Sequence, residues 1–264
     1  MFNSYRRFTF SRISIQLALL ITAIVFFPQM LIGQSSKPLL AEKEKFIGIG
    51  VGIQRMSVND EIGSNLTYTG AAATWLLSYA TVDTTRLHTL NLRYARTSFT
   101  NDLSEGRADG TQLSLRYQYQ PKLLRFNRLD ANLYLGPYLS FNAFPRSFLY
   151  SPYSVTTDTG DFFGSVGLSG TLIKPISVRT FVQASMSVPV ISYLLSREFT
   201  GSTTQDWAFI NQLIDYRFSI SYIRALSEKW VFRTDYNFLY YQADRVNDVT
   251  YGGHRLLFGL GIRL

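Results

Sequence analysis

Two histidines, His88 and His254, are the only imidazoles in 264 residues, and the chain contains no cysteine. General acid–base and nucleophilic catalysis need a nucleophile and a base within hydrogen-bond reach. No Gly-x-Ser-x-Gly turn presents a serine, so the one arrangement to weigh sets His254 beside Asp244 or Asp248, as a protease or lipid hydrolase would. The absence of cysteine removes thiolate metal sites, disulfides and the acylated residue of a lipoprotein. The expectation is a protein that is not an enzyme and carries no cofactor and no metal. The run Gly48-Ile-Gly50-Val-Gly52 has the glycine spacing of a phosphate loop, but it lies inside a strand pattern rather than opening a helix, so it cradles no phosphate.

A second set of chemically capable residues is charged. Arg93, Arg116, Arg179, Arg217 and Arg233, with Asp130, Asp215 and Asp235, alternate with apolar neighbours. Buried on one side of a sheet, such charges must pair or stay wet. A third set is aromatic. Phe144, Phe148, Tyr150 and Tyr153 lie close together, with Pro145 and Pro152 stiffening the backbone, as an exposed binding patch would or as rings that fold over a barrel mouth or dip into lipid headgroups would.

The elements that carry these residues are strands. From Phe46 onward, period-2 alternation recurs in segment after segment with no sustained period of 3.6. Ile47, Ile49, Val51 and Ile53 alternate with small or polar residues, and Leu113, Leu115, Tyr117 and Tyr119 alternate with Gln112, Ser114, Arg116 and Gln118. About ten such strands can be read, the last running from Leu256 to Leu264. Long polar connections at 57–70, 99–110, 142–160, 191–211 and 243–252 alternate with short ones near 82–86, 121–128, 173–175 and 225–229. Aromatics make up 15% of the chain, and Tyr and Trp fall where two interfacial girdles would lie.

Alternation with one apolar face, long and short loops in turn, and two aromatic rings together describe an all-β fold: a closed antiparallel up-and-down transmembrane β-barrel of about ten strands. The apolar face meets lipid and the arginines and aspartates line the lumen. In a barrel this narrow, side chains can cross the bore and pair, whereas a small excess of Arg over Asp would otherwise favour a narrow pore for anions. His88 and His254 then fall at opposite ends, too far apart for one catalytic site.

Residues 1–33 are an export signal. Arg6, Arg7 and Arg12 precede the apolar stretch Ile13 to Phe27, Pro28 ends it, and Gly33 offers a small residue for cleavage. Residues 34–45 form a short linker and 46–264 the barrel. Without the leader, the formal charge of +8 falls to +5. No block of Lys and Arg is present, which argues against a nucleic-acid partner.

With that export signal, hairpin series and last strand, His254 to Leu264, the chain resembles the small outer-membrane β-barrel proteins of Gram-negative bacteria, including PorT-like and OmpA-like transmembrane barrels. The resemblance implies a bacterial outer-membrane location with both termini periplasmic, and outer-membrane lipid around the wall. It also implies insertion by the barrel-assembly machinery reading the last strand. The resemblance carries over no function; the lumen and loops themselves point to a non-catalytic structural or accessory component whose outer loops could meet an extracellular or outer-membrane protein.

Overall fold

The computed structural model describes residues 43–60, 64–101, 106–150, 155–197, 203–210, 212–243 and 249–264. They form β1 (Glu44–Asp60), β2 (Ser64–Val82), β3 (Arg86–Thr100), β4 (Arg107–Phe126), β5 (Ala131–Tyr150), β6 (Val155–Ser177), β7 (Thr180–Arg197), β8 (Thr203–Phe209), β9 (Leu213–Ala225), β10 (Trp230–Ala243) and β11 (Val249–Arg263). Every neighbouring pair is antiparallel, and β1 pairs with β11 from Phe46↔Arg263 to Asp60↔Val249. With β6 joined to β7 and β7 to β9, ten strands close a ring. Closure leaves no edge among those ten, as a wall in hydrocarbon requires.

Period 2 sets the faces. Ile47, Ile49, Val51 and Ile53 of β1, Leu113, Leu115, Tyr117 and Tyr119 of β4, and Leu260 and Ile262 of β11 project from the outer wall. Between them Gln54, Ser114, Arg116, Ser165, Ser169 and Asp235 turn inward and are buried. A soluble protein keeps such an apolar surface covered, whereas the wall of a membrane barrel presents one.

The ring strands run 13 to 23 residues, longer than the about 9–11 that cross a bilayer. Their outer halves, meaning those far from Glu44 and Arg263, continue past the apolar belt with the faces reversed. Thr67, Thr69, Arg96 and Thr100 point out, and Tyr68, Phe99, Phe144 and Phe148 point in. Segment 142–160, expected as a long loop, is therefore mostly strand, and half of 99–110 is. A polar outward face looks like loop sequence when the strand stands in water.

Both described chain ends lie at one end of the barrel, where Arg263 pairs with Glu44 and the Leu264 amide donates to the Lys45 carbonyl. The tight connections at 83–85, 127–130, 178–179 and 226–229 lie at this same end. Asp130 takes a left-handed φ of 46° in one of these turns and pairs with Arg125 at 2.9 Å in the open. Expected in the lumen, Asp130 is instead a turn residue, because β5 begins one position later. Arg179 likewise sits in the two-residue turn between β6 and β7, where its amide donates to Ser177 Oγ.

One part of the wall is irregular. β7 pairs with β9 through Thr180–Ser187 and with the short β8 through Ile191–Arg197, so its partner changes across Val188–Val190. On its other side the register moves from Gly167↔Pro189 to Val166↔Ile191, leaving Val190 as the extra residue of a bulge. Pro189 supplies no amide hydrogen, and a bulge is where a sheet accepts such a residue.

Candidate functional site

Inward positions on strands from opposite sides of the ring converge at mid-height. β4 supplies Gln112, Ser114 and Arg116, β3 supplies Arg93, β9 Asp215 and Arg217, β10 Arg233, Asp235 and Asn237, and β11 Arg255. Each is spaced two from its neighbour on the same strand because only alternate side chains reach the bore.

Two ion pairs run along single strands. Arg217 Nε lies 3.0 Å from Asp215, and Arg233 Nε 2.7 Å from Asp235, which also accepts from the Ser221 hydroxyl. Other contacts cross the bore. Arg217 donates to Asn142 Oδ1 at 2.7 Å and to Ser114 Oγ at 3.2 Å, while Arg93 donates to Asn237 Oδ1 at 3.1 Å. Arg255 reaches across to Gln112 Oε1 at 2.8 Å, and it also donates to Gln54 Oε1 on the adjacent β1 at 2.7 Å. A narrow bore lets long side chains meet in this way.

The charges do not balance. Arg217 and Arg233 have carboxylates, whereas Arg93 and Arg255 hold only neutral amides among their described partners. Arg116 lies over the Tyr138 ring, 3.9 Å from its centre, and its Nε and Nη2 have no hydrogen-bond partner. A cavity of about 120 Å³ opens beside these groups. Its far wall is a strip of glycine, with Gly48 opposite Gly261 and Gly50 opposite Gly259 across the β1–β11 seam.

Apolar layers bound this polar middle. In the outer half, rings follow one another across the bore from Phe99 to Phe144 (6.4 Å between centres), Tyr251 (5.0 Å), Tyr241 (4.4 Å) and Phe163 (4.8 Å), and Tyr68 packs on Phe148. All are buried together with Met56, Val58 and Leu194. Arg146 and Asp161 are also buried in this half, paired at 2.8 Å. Toward the end that carries the termini, Val82, Leu87, Tyr134, Ile173, Phe181 and Val231 form a second layer.

This arrangement corrects the aromatic patch. Phe144 and Phe148 are 1% exposed and belong to the layer inside the barrel, so they form no surface for a partner. Tyr150 ends β5, and Tyr153 lies outside the described residues. Of the expected lumen charges, Arg93, Arg116, Asp215, Arg217, Arg233 and Asp235 come together, and Asp130 and Arg179 do not. Arg255, Arg146 and Asp161 were missed. Arg255 lies one position before the apolar run read as the last strand, although its parity with Leu257 and Gly259 marks the inner face.

The histidines are on the outer wall. His254 Nδ1 is 2.6 Å from Tyr236 Oη with Phe238 beside it, and His88 Nδ1 is 3.1 Å from Tyr117 Oη. These are contacts of an interfacial aromatic belt. Asp244 and Asp248, the carboxylates weighed as partners for His254, lie outside the described residues. Among the described residues no group of acidic or histidine side chains is disposed to hold a metal.

No family model and no curated protein matches the chain. Several solved structures are similar at low identity. The translocator domain of the autotransporter NalP from Neisseria meningitidis is 11% identical, with 96% of each chain covered and a TM-score of 0.49. The outer membrane protease OmpT from Escherichia coli is 10% identical over 88% of this chain and 99% of that one, at 0.41. Ail, the attachment invasion locus protein of Yersinia pestis, is 13% identical over 84% and 99%, at 0.38. By its own architecture, apolar outside and polar within a closed ring, this chain is a β-barrel of the outer-membrane type.

Proposed function

We propose that the protein is an integral, non-catalytic component of the bacterial outer membrane whose lumen is sealed, serving a structural or accessory role. Residues 1–33 direct export and are removed, the residues from 34 up to β1 remain as a linker, and both termini face the periplasm. Outer-membrane lipid surrounds the wall, and the barrel-assembly machinery inserts it by way of β11. A protein partner, outer-membrane or extracellular, meets the polar outward faces of the outer half.

The observation that carries this reading is the aromatic layer. The ring series from Phe99 to Phe163 draws on β3, β5, β11, β10 and β6, and so bridges the bore above the charged middle. Apolar constrictions exclude water and block ions. Each histidine meets a tyrosine hydroxyl on the outward face of the wall, with no serine or threonine hydroxyl among its described hydrogen-bond partners. The surplus of lumen arginine favours one second reading, a narrow anion pore that conducts when the layers part.

Single-channel recording of the refolded chain in a planar bilayer tests the proposal, with heat-dependent gel mobility to verify folding. The wild type should be silent, and Phe144→Ala with Phe148→Ala and Tyr251→Ala should introduce conductance steps. Stable steps from the wild type would replace the sealed reading with the pore.

A further inference from the structure

Five arginines, Arg93, Arg116, Arg217, Arg233 and Arg255, line the central cavity with one carboxylate, Asp235. Asp215 and Asp235 are each held in an ion pair by Arg217 and Arg233, so although Asp235 lies within reach of Arg93 and Asp215 of Arg116, two carboxylates face five guanidinium groups and Arg93, Arg116 and Arg255 have no ion pair of their own. The three are not remote from one another: Arg93 lies within electrostatic reach of Arg255, and Arg116 of Arg93. Arg116 is 6% exposed, with two guanidinium nitrogens lacking any hydrogen-bond partner, and Arg93 Nε lacks one as well. Burying one unpaired charge costs several kcal/mol, and grouping three of one sign adds repulsion. Water in the cavity can hydrate the guanidinium groups but cannot neutralise them.

The cavity also has room. About 120 Å³ is several times the roughly 10–15 Å³ that a single water needs. Gly50 lines the space and carries no side chain to fill it: a Cβ there would meet only ordinary contacts, the nearest the Phe258 carbonyl oxygen at 3.4 Å. Guanidinium forks match the paired oxygens of an oxyanion, where an ammonium would meet them only as a point charge.

We propose that this cavity binds a small free oxyanion of the phosphate or sulfate type, held as the counter-ion of Arg93, Arg116 and Arg255. The inference rests on the sealed-lumen reading, since apolar layers above and below keep the ion in and lipid headgroups out. The ion enters as the barrel folds, and it joins β3, β4 and β11 through one shared partner.

The test is to refold the chain in detergent with labelled inorganic phosphate, remove free phosphate by gel filtration, and count what stays. About one phosphate per folded chain should be retained, and the unfolding temperature should rise over that of chain refolded in chloride at the same ionic strength. Arg116→Gln should cut retention at least tenfold and, in chloride, unfold at a higher temperature than the wild type, because it removes an unneutralised charge. Gly50→Leu keeps every arginine but fills the cavity, and should also abolish retention. No retention by the wild type would overturn the proposal, as would retention undiminished in both variants, which would place the ion elsewhere. Conductance separates the two readings: a silent barrel without phosphate has a sealed lumen and no ion, whereas a conducting barrel that retains phosphate is a pore with a binding site.

Discussion

Arg217 on β9 and Asn142 on β5 meet across the bore, guanidinium Nη2 to amide Oδ1 at 2.7 Å, and Asn142 Oδ1 also accepts from Ser114 on β4 at 2.7 Å. Arg217 further holds Asp215, which is 1% exposed. One side chain thus fixes the distance between opposite walls and neutralises a buried carboxylate beside the aromatic layer.

Truncating Arg217 should therefore cost more than its own contacts. Arg217→Ala leaves Asp215 buried without its cation, and breaking a buried pair in this way costs about 3–5 kcal/mol. Asp215→Leu with Arg217→Met removes both charges and should cost clearly less than the single change, since Ser114 and Asn142 keep their mutual hydrogen bond. Urea unfolding of the barrel in lipid vesicles measures both. Equal losses in the two variants would show that the carboxylate does not need its arginine.

The lipid belt has a mid-level row, Leu77↔Leu92↔Leu115↔Phe141, in which each residue is the cross-strand partner of the next and all four point outward. Leu115→Arg should destabilise the membrane-inserted barrel by about 2–4 kcal/mol, the cost of a charge at the hydrocarbon midplane. Thr69→Arg, on the outward face beyond the belt, should change stability by no more than about 0.5 kcal/mol. The same urea titration in vesicles reads both, and a loss at Thr69 as large as that at Leu115 would move the belt outward.

The membrane-level strands were legible because their period-2 pattern has an apolar face, as in Leu113 to Tyr119, and the parity of Arg93, Arg116, Arg217 and Arg233 placed them inside. The outer halves were not legible as strand for the opposite reason. Around Phe144, Arg146 and Phe148 the large rings face inward, and Ala143, Pro145 and Ser147 on the other face make no apolar stripe, so the same alternation resembled an aromatic loop. Parity alone could have found Arg255, by continuing the inward series Gly261, Gly259 and Leu257 one step further along β11 to a residue facing the bore. The end of a turn has no such signal, and Asp130 was assigned to the wrong side of the β5 boundary. The surplus charge was legible only in part, because a balance depends on which side chains share a cavity.

The bulge between β6 and β7 gives a last prediction, and one in which two glycines on one strand should respond with opposite sign. A Cβ on Gly167 would lie 2.2 Å from the Val188 carbonyl oxygen and 2.7 Å from Pro189 Cα, both backbone atoms that cannot move without breaking the register. At Gly170, three residues along β6, the nearest atom would be Leu135 Cδ1 at an ordinary 3.6 Å. Gly167→Ala should therefore destabilise by about 1–3 kcal/mol through overpacking. Gly170→Ala should stabilise by about 0.5 kcal/mol, because alanine has less backbone freedom to lose on entering a strand. Refolding yield and the unfolding midpoint by gel mobility distinguish the two. Were Gly167→Ala as stable as the wild type, the backbones of β6 and β7 would be farther apart at Pro189 than this register places them, and the bulge would have to be redrawn.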